Sequence, residues 1–239
     1  QAKNIGRPLN NKDYNFVISS SPDNNTLLLG NKYASDGVSP NGAGVSIAQK
    51  GLRGWEIPKD VVIEDYVNKN DYVGYFLSSD NKHLLMSVER QEGYGLKDIF
   101  VSYVKEDGTF SKPKNLGNVV NSFEDETNPF LAADGKTLYF ASKGYPGYGY
   151  YDLFVSKRLD DSWTNWSKPE NLGNIINSPG YELSIFLSAK GDKAYVGREQ
   201  DIWEIDNTVK QDPVALVKGK VYDSKTKKVM SAPIVYNAL

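Results

Sequence analysis

Hydrophobic positions along the chain come in runs of four to six residues, separated by clusters of Gly, Pro, Asn, Asp and Ser. TLLLG (26–30), HLLMS (83–87), TLYFAS (137–142) and KAYVG (193–197) are examples. Runs this short, bounded by turn formers, predict strands, and no segment sustains a helical period. In IFVSYV (99–104) and LFVSKR (153–158) apolar and polar residues partly alternate, as in strands with one covered face. TLYFAS is more continuously apolar, which predicts burial on both faces.

The runs belong to a repeat. Asp23, Asp80 and Asp134 each precede one of them, and Lys190 holds the equivalent place in a fourth copy, a period of about 55 residues. A second landmark follows: Asp98 in DIFVS, Asp152 in DLFVS and Asp201 in DIWEI. A third is an aromatic residue three positions before a proline: Trp55 and Pro58, Phe110 and Pro113, Trp166 and Pro169. The last two are followed by NLG at 115–117 and 171–173. The copies span 12–59, 60–117, 118–173 and 174–206, and the fourth stops before its aromatic–proline–NLG strand.

Residues 1–11, QAKNIGRPLNN, resemble NLGNVVNS and NLGNIINS, the last strand of a unit and its link to the next. The chain thus opens on a last strand and closes on a unit that lacks one. Residues 2–6 are expected to close the last blade, since an open array leaves unpaired strand edges. The expected fold is all-β: a propeller of four-stranded blades, about four visible, over 1–206. A polar linker follows at 207–213. Residues 214–239 read strand, turn, strand, with DSKTKK as the turn. Two strands are marginal alone, so this is expected to be the start of a second, truncated β-domain.

Composition narrows the function. The chain of 239 residues is 39% hydrophobic, with 16 tyrosines and nine phenylalanines, enough for a sizeable β core. Twenty-eight Lys and Arg against 30 Asp and Glu leave a net charge of −2 with no basic block, so there is no footprint for nucleic acid or an anionic membrane. Cysteine is absent, which removes disulfides and thiolate chemistry. No apolar run is long enough to span a membrane, and no signal peptide is read.

Candidate chemistry is sparse. The single histidine, His83, stands in a strand-like run as a surface or packing residue, and no GxSxG elbow offers it a nucleophile. With one His and no Cys, no metal or cofactor is expected. Tyr72, Glu126, Asn128 and Glu182 are candidates for facing the central axis. Glu126 and Glu182 could act there as paired carboxylates on a glycan. Against that, they recur at blade period, as residues that serve the blade do. The repeated Asp98, Asp152 and Asp201 are expected to accept backbone N–H groups from the Gly-rich turn before them. Trp163 and Trp166 are expected in inter-blade packing. The candidates for partner binding are the Gly–Tyr loops, with Tyr94 in one and Tyr145, Tyr148, Tyr150 and Tyr151 in the next. Tyrosine offers rigid area with a polar tip, and the competing reading is packing on the neighbouring blade.

DGKTLYF (134–140), Gly147 to Asp152, and Trp166, Pro169 and NLG (171–173) together resemble the repeat of TolB-like and WD-repeat-like propellers of the bacterial envelope. GKVYD (219–223) with Thr226 and Ala232 resembles the start of a carboxypeptidase-regulatory-like domain. That order of modules is similar to outer-membrane-protein-A-family, PorE-like components of the type IX secretion system. The resemblance implies a periplasmic, outer-membrane-associated scaffold that binds other envelope proteins and is not an enzyme. A glycan-binding or glycan-cleaving propeller is the alternative.

Overall fold

The computed structural model describes residues 4–188, 190–209, 211–212 and 221–230, and all regular structure in it is β. Blade 1 holds β1 (Val17–Ser20), β2 (Thr26–Gly30), β3 (Val45–Gly51), β4 (Gly54–Trp55) and β5 (Lys59–Asp60). Blade 2 holds β6 (Gly74–Leu77), β7 (His83–Val88), β8 (Asp98–Tyr103) and β9 (Lys114–Asn115). Blade 3 holds β10 (Glu126–Leu131), β11 (Thr137–Ser142), β12 (Asp152–Lys157) and β13 (Glu170–Asn171). Blade 4 holds β14 (Glu182–Leu187), β15 (Lys193–Arg198) and β16 (Asp201–Asp206). Each blade is an antiparallel meander, and the four first strands line one axial cavity. This is a four-bladed propeller arrangement. A separate hairpin pairs β17 (Val221–Tyr222) with β18 (Val229–Met230) across Asp223–Lys228.

The first landmark is a turn device. Asp80 accepts the Lys82 N–H at 3.0 Å, and Asp134 accepts those of Lys136 and Thr137, each at 2.9 Å. The residue after each landmark, Asn24, Asn81, Gly135 or Gly191, has positive φ, a conformation that Asn and Gly tolerate best. The second strands alternate between two neighbours. Leu84 and Met86 of β7 join Leu28 and Val45 of blade 1 in one buried cluster. Leu85 joins Leu138, Phe140 and Phe154 of blade 3 in another. Both faces are covered, so the run is continuously apolar. Tyr139, Leu153 and Val155 of blade 3 meet Ile185, Ala194 and Val196 of blade 4 in a third cluster. Trp163 and Trp166 are buried in the cluster between blades 2 and 3, and the His83 ring lies 4.8 Å from that of Trp163.

A side-chain corner joins each of blades 2 and 3 to its successor. Asn121 bridges the main chain of Ile99, accepting its N–H at 2.8 Å and donating to its carbonyl at 3.0 Å. It also donates to Asn115 Oδ1, and Asn115 donates to Asp98. One blade on, Asn177 does the same to Leu153, Asn171 and Asp152. Gly117 and Gly173 make the bend with positive φ, each donating its N–H to the corner's first Asn.

Of residues 2–6, expected to close the last blade, 2 and 3 lie outside the described residues, and 4–6 enter no strand. Leu9 instead packs with Leu27, Leu29, Tyr33 and Ala48 of blade 1, and the Tyr33 hydroxyl donates to its carbonyl. Of the expected second domain, 214–220 and 231–239 lie outside the described residues.

Asn121→Ala should destabilise the protein by about 1–3 kcal/mol, because it leaves the buried Ile99 N–H without a partner and the Ile99 carbonyl with the Leu116 N–H alone. The exposed Asn118→Ala should stay within about 0.5 kcal/mol. Urea unfolding of both variants measures the difference, and equal midpoints would remove the structural role given to the corner.

Candidate functional site

The loop between the second and third strands of a blade meets the link into the next blade on one face of the ring. Leu96 N–H donates to Glu124 O at 3.2 Å, and Tyr150 N–H donates to Gly180 O at 2.9 Å. The approach requires glycine. A Cβ on Gly95 would lie 2.5 Å from Glu124 O, and one on Gly149 would lie 2.2 Å from Ser178 O. Asp98 holds the first loop by accepting from Tyr94 and Gly95 N–H, and Asp152 holds the second through Tyr148 and Gly149.

These loops sort their tyrosines. Tyr94, Tyr148 and Tyr150 are exposed, the last two at 52% and 63%. Tyr145 turns inward, packs on Phe140 and Phe154, and donates its hydroxyl to the carbonyls of Val119 and Val120. Burial pushes its hydroxyl up to about 12. Tyr151 is half-buried, and its hydroxyl donates to Asp125 Oδ2 at 3.0 Å.

Three further residues complete a cluster that the sequence reading did not assemble. The exposed Tyr181 ring lies 5.3 Å from that of Tyr150, tilted by 35°, and 6.4 Å from that of Tyr151. Lys143 Nζ sits 4.5 Å from the Tyr151 ring centre, 5.7 Å from that of Tyr150, and 3.3 Å from Asp125 Oδ2. Burial alone would raise the Asp125 carboxyl. The Lys97 N–H, the Lys97 charge, Tyr151 and Lys143 outweigh it and hold the group below its ordinary value. The signal for Tyr181 is its place directly before Glu182, where copy three has Asp125 before Glu126.

The axis candidates lie apart from this cluster. Asn128 lines the axial cavity, of about 300 Å³. It has φ of 48° and donates to Leu183 O at 2.8 Å across the blade junction. The cavity wall is mostly apolar, with Val17, Phe76, Pro129, Ile185 and Phe186 around Asn128 and Ser184. Tyr72 is exposed and outside that lining. Glu126 and Glu182 are also outside it and fully buried. Glu126 accepts Ser122 N–H and the hydroxyls of Ser122 and Ser142 within 2.7 Å. Glu182 accepts Ser178 N–H and hydroxyl, and Arg198, in the place of Ser142, comes within 3.5 Å. Burial outweighs the serine hydrogen bonds at Glu126 and raises its carboxyl to about 7. Among the described residues no three His, Cys, Asp or Glu side chains gather as a metal site. None forms a helix that could cross a membrane.

The fold and site thus define a β-propeller with one aromatic face. No family model matches the chain, and no curated protein matches it in sequence. Solved structures similar to it include a gluconolactonase from Xanthomonas campestris, with 14% identity, 78% of this chain and 55% of that one covered, and a TM-score of 0.44. The periplasmic gluconolactonase of Pseudomonas aeruginosa gives 13%, 78%, 55% and 0.44. An alpha-L-arabinofuranosidase from Lactobacillus brevis gives 11%, 79%, 64% and 0.39. The chain spans about half the length of the two gluconolactonases. These three proteins are enzymes, and on that finding the expectation that this chain is not an enzyme is corrected and dropped. At such identities and TM-scores the likeness carries no reaction over to this chain.

Stability should depend on pH through Glu126. Its folded pKa near 7 lies above the unfolded value near 4.3. Below the unfolded value both states hold the proton and the group has no effect. As pH rises toward 7 the unfolded chain releases the proton first, so stability falls. Glu126→Gln should abolish this loss, on the order of 3 kcal/mol between pH 4 and pH 8. Melting curves of both proteins across that range measure it, and parallel pH profiles would show that folding leaves the carboxyl's proton affinity unchanged.

Proposed function

We propose that the chain is a carbohydrate-directed propeller that binds glycan on its tyrosine face. The observation that supports this is the exposed Tyr150–Tyr181 pair beside Lys143. Flat aromatic faces take up the apolar face of a sugar ring, and a cation, a carboxylate and phenol hydroxyls at the edge offer hydrogen bonds to its hydroxyls. Lys143, Asp125 and Tyr151 are already held in such an edge.

A second reading is docking of another envelope protein, in a periplasmic, outer-membrane-associated assembly of the type IX secretion kind that the modules resemble. It is favoured by Tyr94, Leu96 and Phe123, exposed side chains on the neighbouring junction of the same face.

The test is calorimetric titration with fragments of envelope and plant polysaccharides, with sugar release assayed on the same panel. Tyr148→Ala with Tyr150→Ala should weaken glycan binding at least tenfold and leave the melting temperature within about 2 °C, as expected for exposed positions. Absence of binding to every fragment would overturn the glycan reading, and capture of an envelope protein that the tyrosine variant loses would replace it with the second.

A further inference from the structure

Charged side chains are almost never buried without a partner. Arg90, Asp98, Asp125, Glu126, Asp152 and Glu182 are buried here, and each has one. Arg90 donates to the Asp65 carbonyl at 2.7 Å, Asp98 and Asp152 accept from their loops, Asp125 accepts from Tyr151, and the two glutamates sit against serines. Lys97 is the exception. It is 7% exposed, yet its ammonium makes no hydrogen bond or ion pair among the described residues. The fully enclosed side-chain atoms without a partner among the described residues belong to Asn11, Asn81 and Ser102. The Lys97 nitrogen is not one of them, so it reaches the surface at the end of a buried stem.

The fold holds that nitrogen beside the tyrosine face. Lys97 follows Leu96, whose N–H rests on the Glu124 carbonyl of the link into blade 3. Its own N–H donates to Asp125 Oδ1 at 3.1 Å, and its carbonyl accepts the Glu126 N–H at 2.8 Å. The main chain is thus tied on both sides, and the ammonium lies in the field of Asp125, Lys143 and Glu89. Neither carboxylate bonds to it. Asp125 Oδ2 is taken by the Tyr151 hydroxyl and Lys143, and Glu89 Oε2 accepts from Asn70 at 3.1 Å. Burial, the largest influence, and the Lys143 charge outweigh both carboxylates and lower the proton affinity of Lys97. What the site lacks is an oxygen acceptor for Lys97, and an anionic one forms the stronger bond.

The surrounding groups set the kind of anion. Asp125 and Glu89 oppose a dianionic phosphate more strongly than a singly charged carboxylate. The Tyr150–Tyr181 pair offers its faces to a sugar ring, and Lys143 Nζ lies 5.7 Å from the Tyr150 ring centre. A uronic acid carries its carboxylate directly on the sugar ring, so a ring seated on the tyrosines can direct that group to the lysines. Resting on the glycan reading above, we propose that the tyrosine face binds an acidic glycan, with Lys97 and Lys143 together receiving the carboxylate of a uronic acid residue.

Oligogalacturonate and oligoglucuronate fragments, each beside its carboxyl-reduced neutral form, are titrated calorimetrically together with the neutral fragments of the panel. An acidic fragment should bind at least tenfold more tightly than its reduced form, and Lys97→Met should remove that advantage. Methionine keeps the apolar stem and removes the charge, so the melting temperature should not fall. A fall of more than about 5 °C would reveal a structural partner for the ammonium and overturn the proposal. An acid preference that Lys97→Met leaves intact would overturn it as well. Neutral fragments that bind while no acidic form is preferred would overturn it and leave the glycan reading standing. Preference for a sulfated oligosaccharide over both uronates would overturn the carboxylate. Binding of no fragment would overturn both the proposal and the reading on which it rests.

Discussion

The hydrogen-bonded corner of Asp98, Asn115 and Asn121, repeated as Asp152, Asn171 and Asn177, is the constraint on which the rest depends. A propeller blade must be tied to the next without exposing the main chain of its third strand. One asparagine does this by meeting the N–H and carbonyl of a single residue, Ile99 or Leu153, where the short outer strand has ended. The aspartate at the other end gathers the N–H groups of the Gly–Tyr loop. One network therefore sets the strand edge, the blade junction and the loop on the tyrosine face. Its aspartates and the bridging Asn121 and Asn177 are buried, where an unmade hydrogen bond costs more than a made one contributes.

The same economy explains why the tyrosine face is ordered. Gly95 and Gly149 let a loop backbone rest on the neighbouring blade's link. The side chains beside them are then sorted by geometry: Tyr145 falls into the core, Tyr151 is held by Asp125, and Tyr148 and Tyr150 remain outside. Lys143 is held over two rings and against a carboxylate, which restricts its rotamers before any ligand arrives. The axial cavity offers a different surface, apolar apart from Asn128 and Ser184. The two carboxylates closest to it in sequence are turned into serine cages, where hydroxyls rather than solvent meet the charge.

The blade repeat was legible in the sequence because each landmark acts locally. Asp80 and Asp134 bond to residues two or three positions on, and the Asn or Gly that follows meets a demand of its own backbone. Asp98 and Asp152 reach back only three or four residues. Such roles need spacing alone. The continuous apolar run of β11 likewise announced burial on both faces before any neighbour was known.

Other assignments depend on contacts that spacing does not encode. Glu126 meets Ser142, sixteen residues away, only because β10 and β11 pair in one register, and that contact takes part in setting its proton affinity. Tyr145 and Tyr148 are the same residue in one loop, and only Val119 and Val120, brought from the preceding link, decide which is core. Tyr181 and Lys143 meet Tyr150 through blade docking, not sequence proximity. Ile99 and Ile202 occupy equivalent positions, yet one is buried and the other bare, because burial belongs to the neighbour that is present and not to the residue itself. The sequence by itself determined strands, turns and the repeat, all products of local backbone preference. The tertiary structure alone decided which carboxylates are enclosed and which tyrosines face outward, since each follows from packing between segments far apart in the chain.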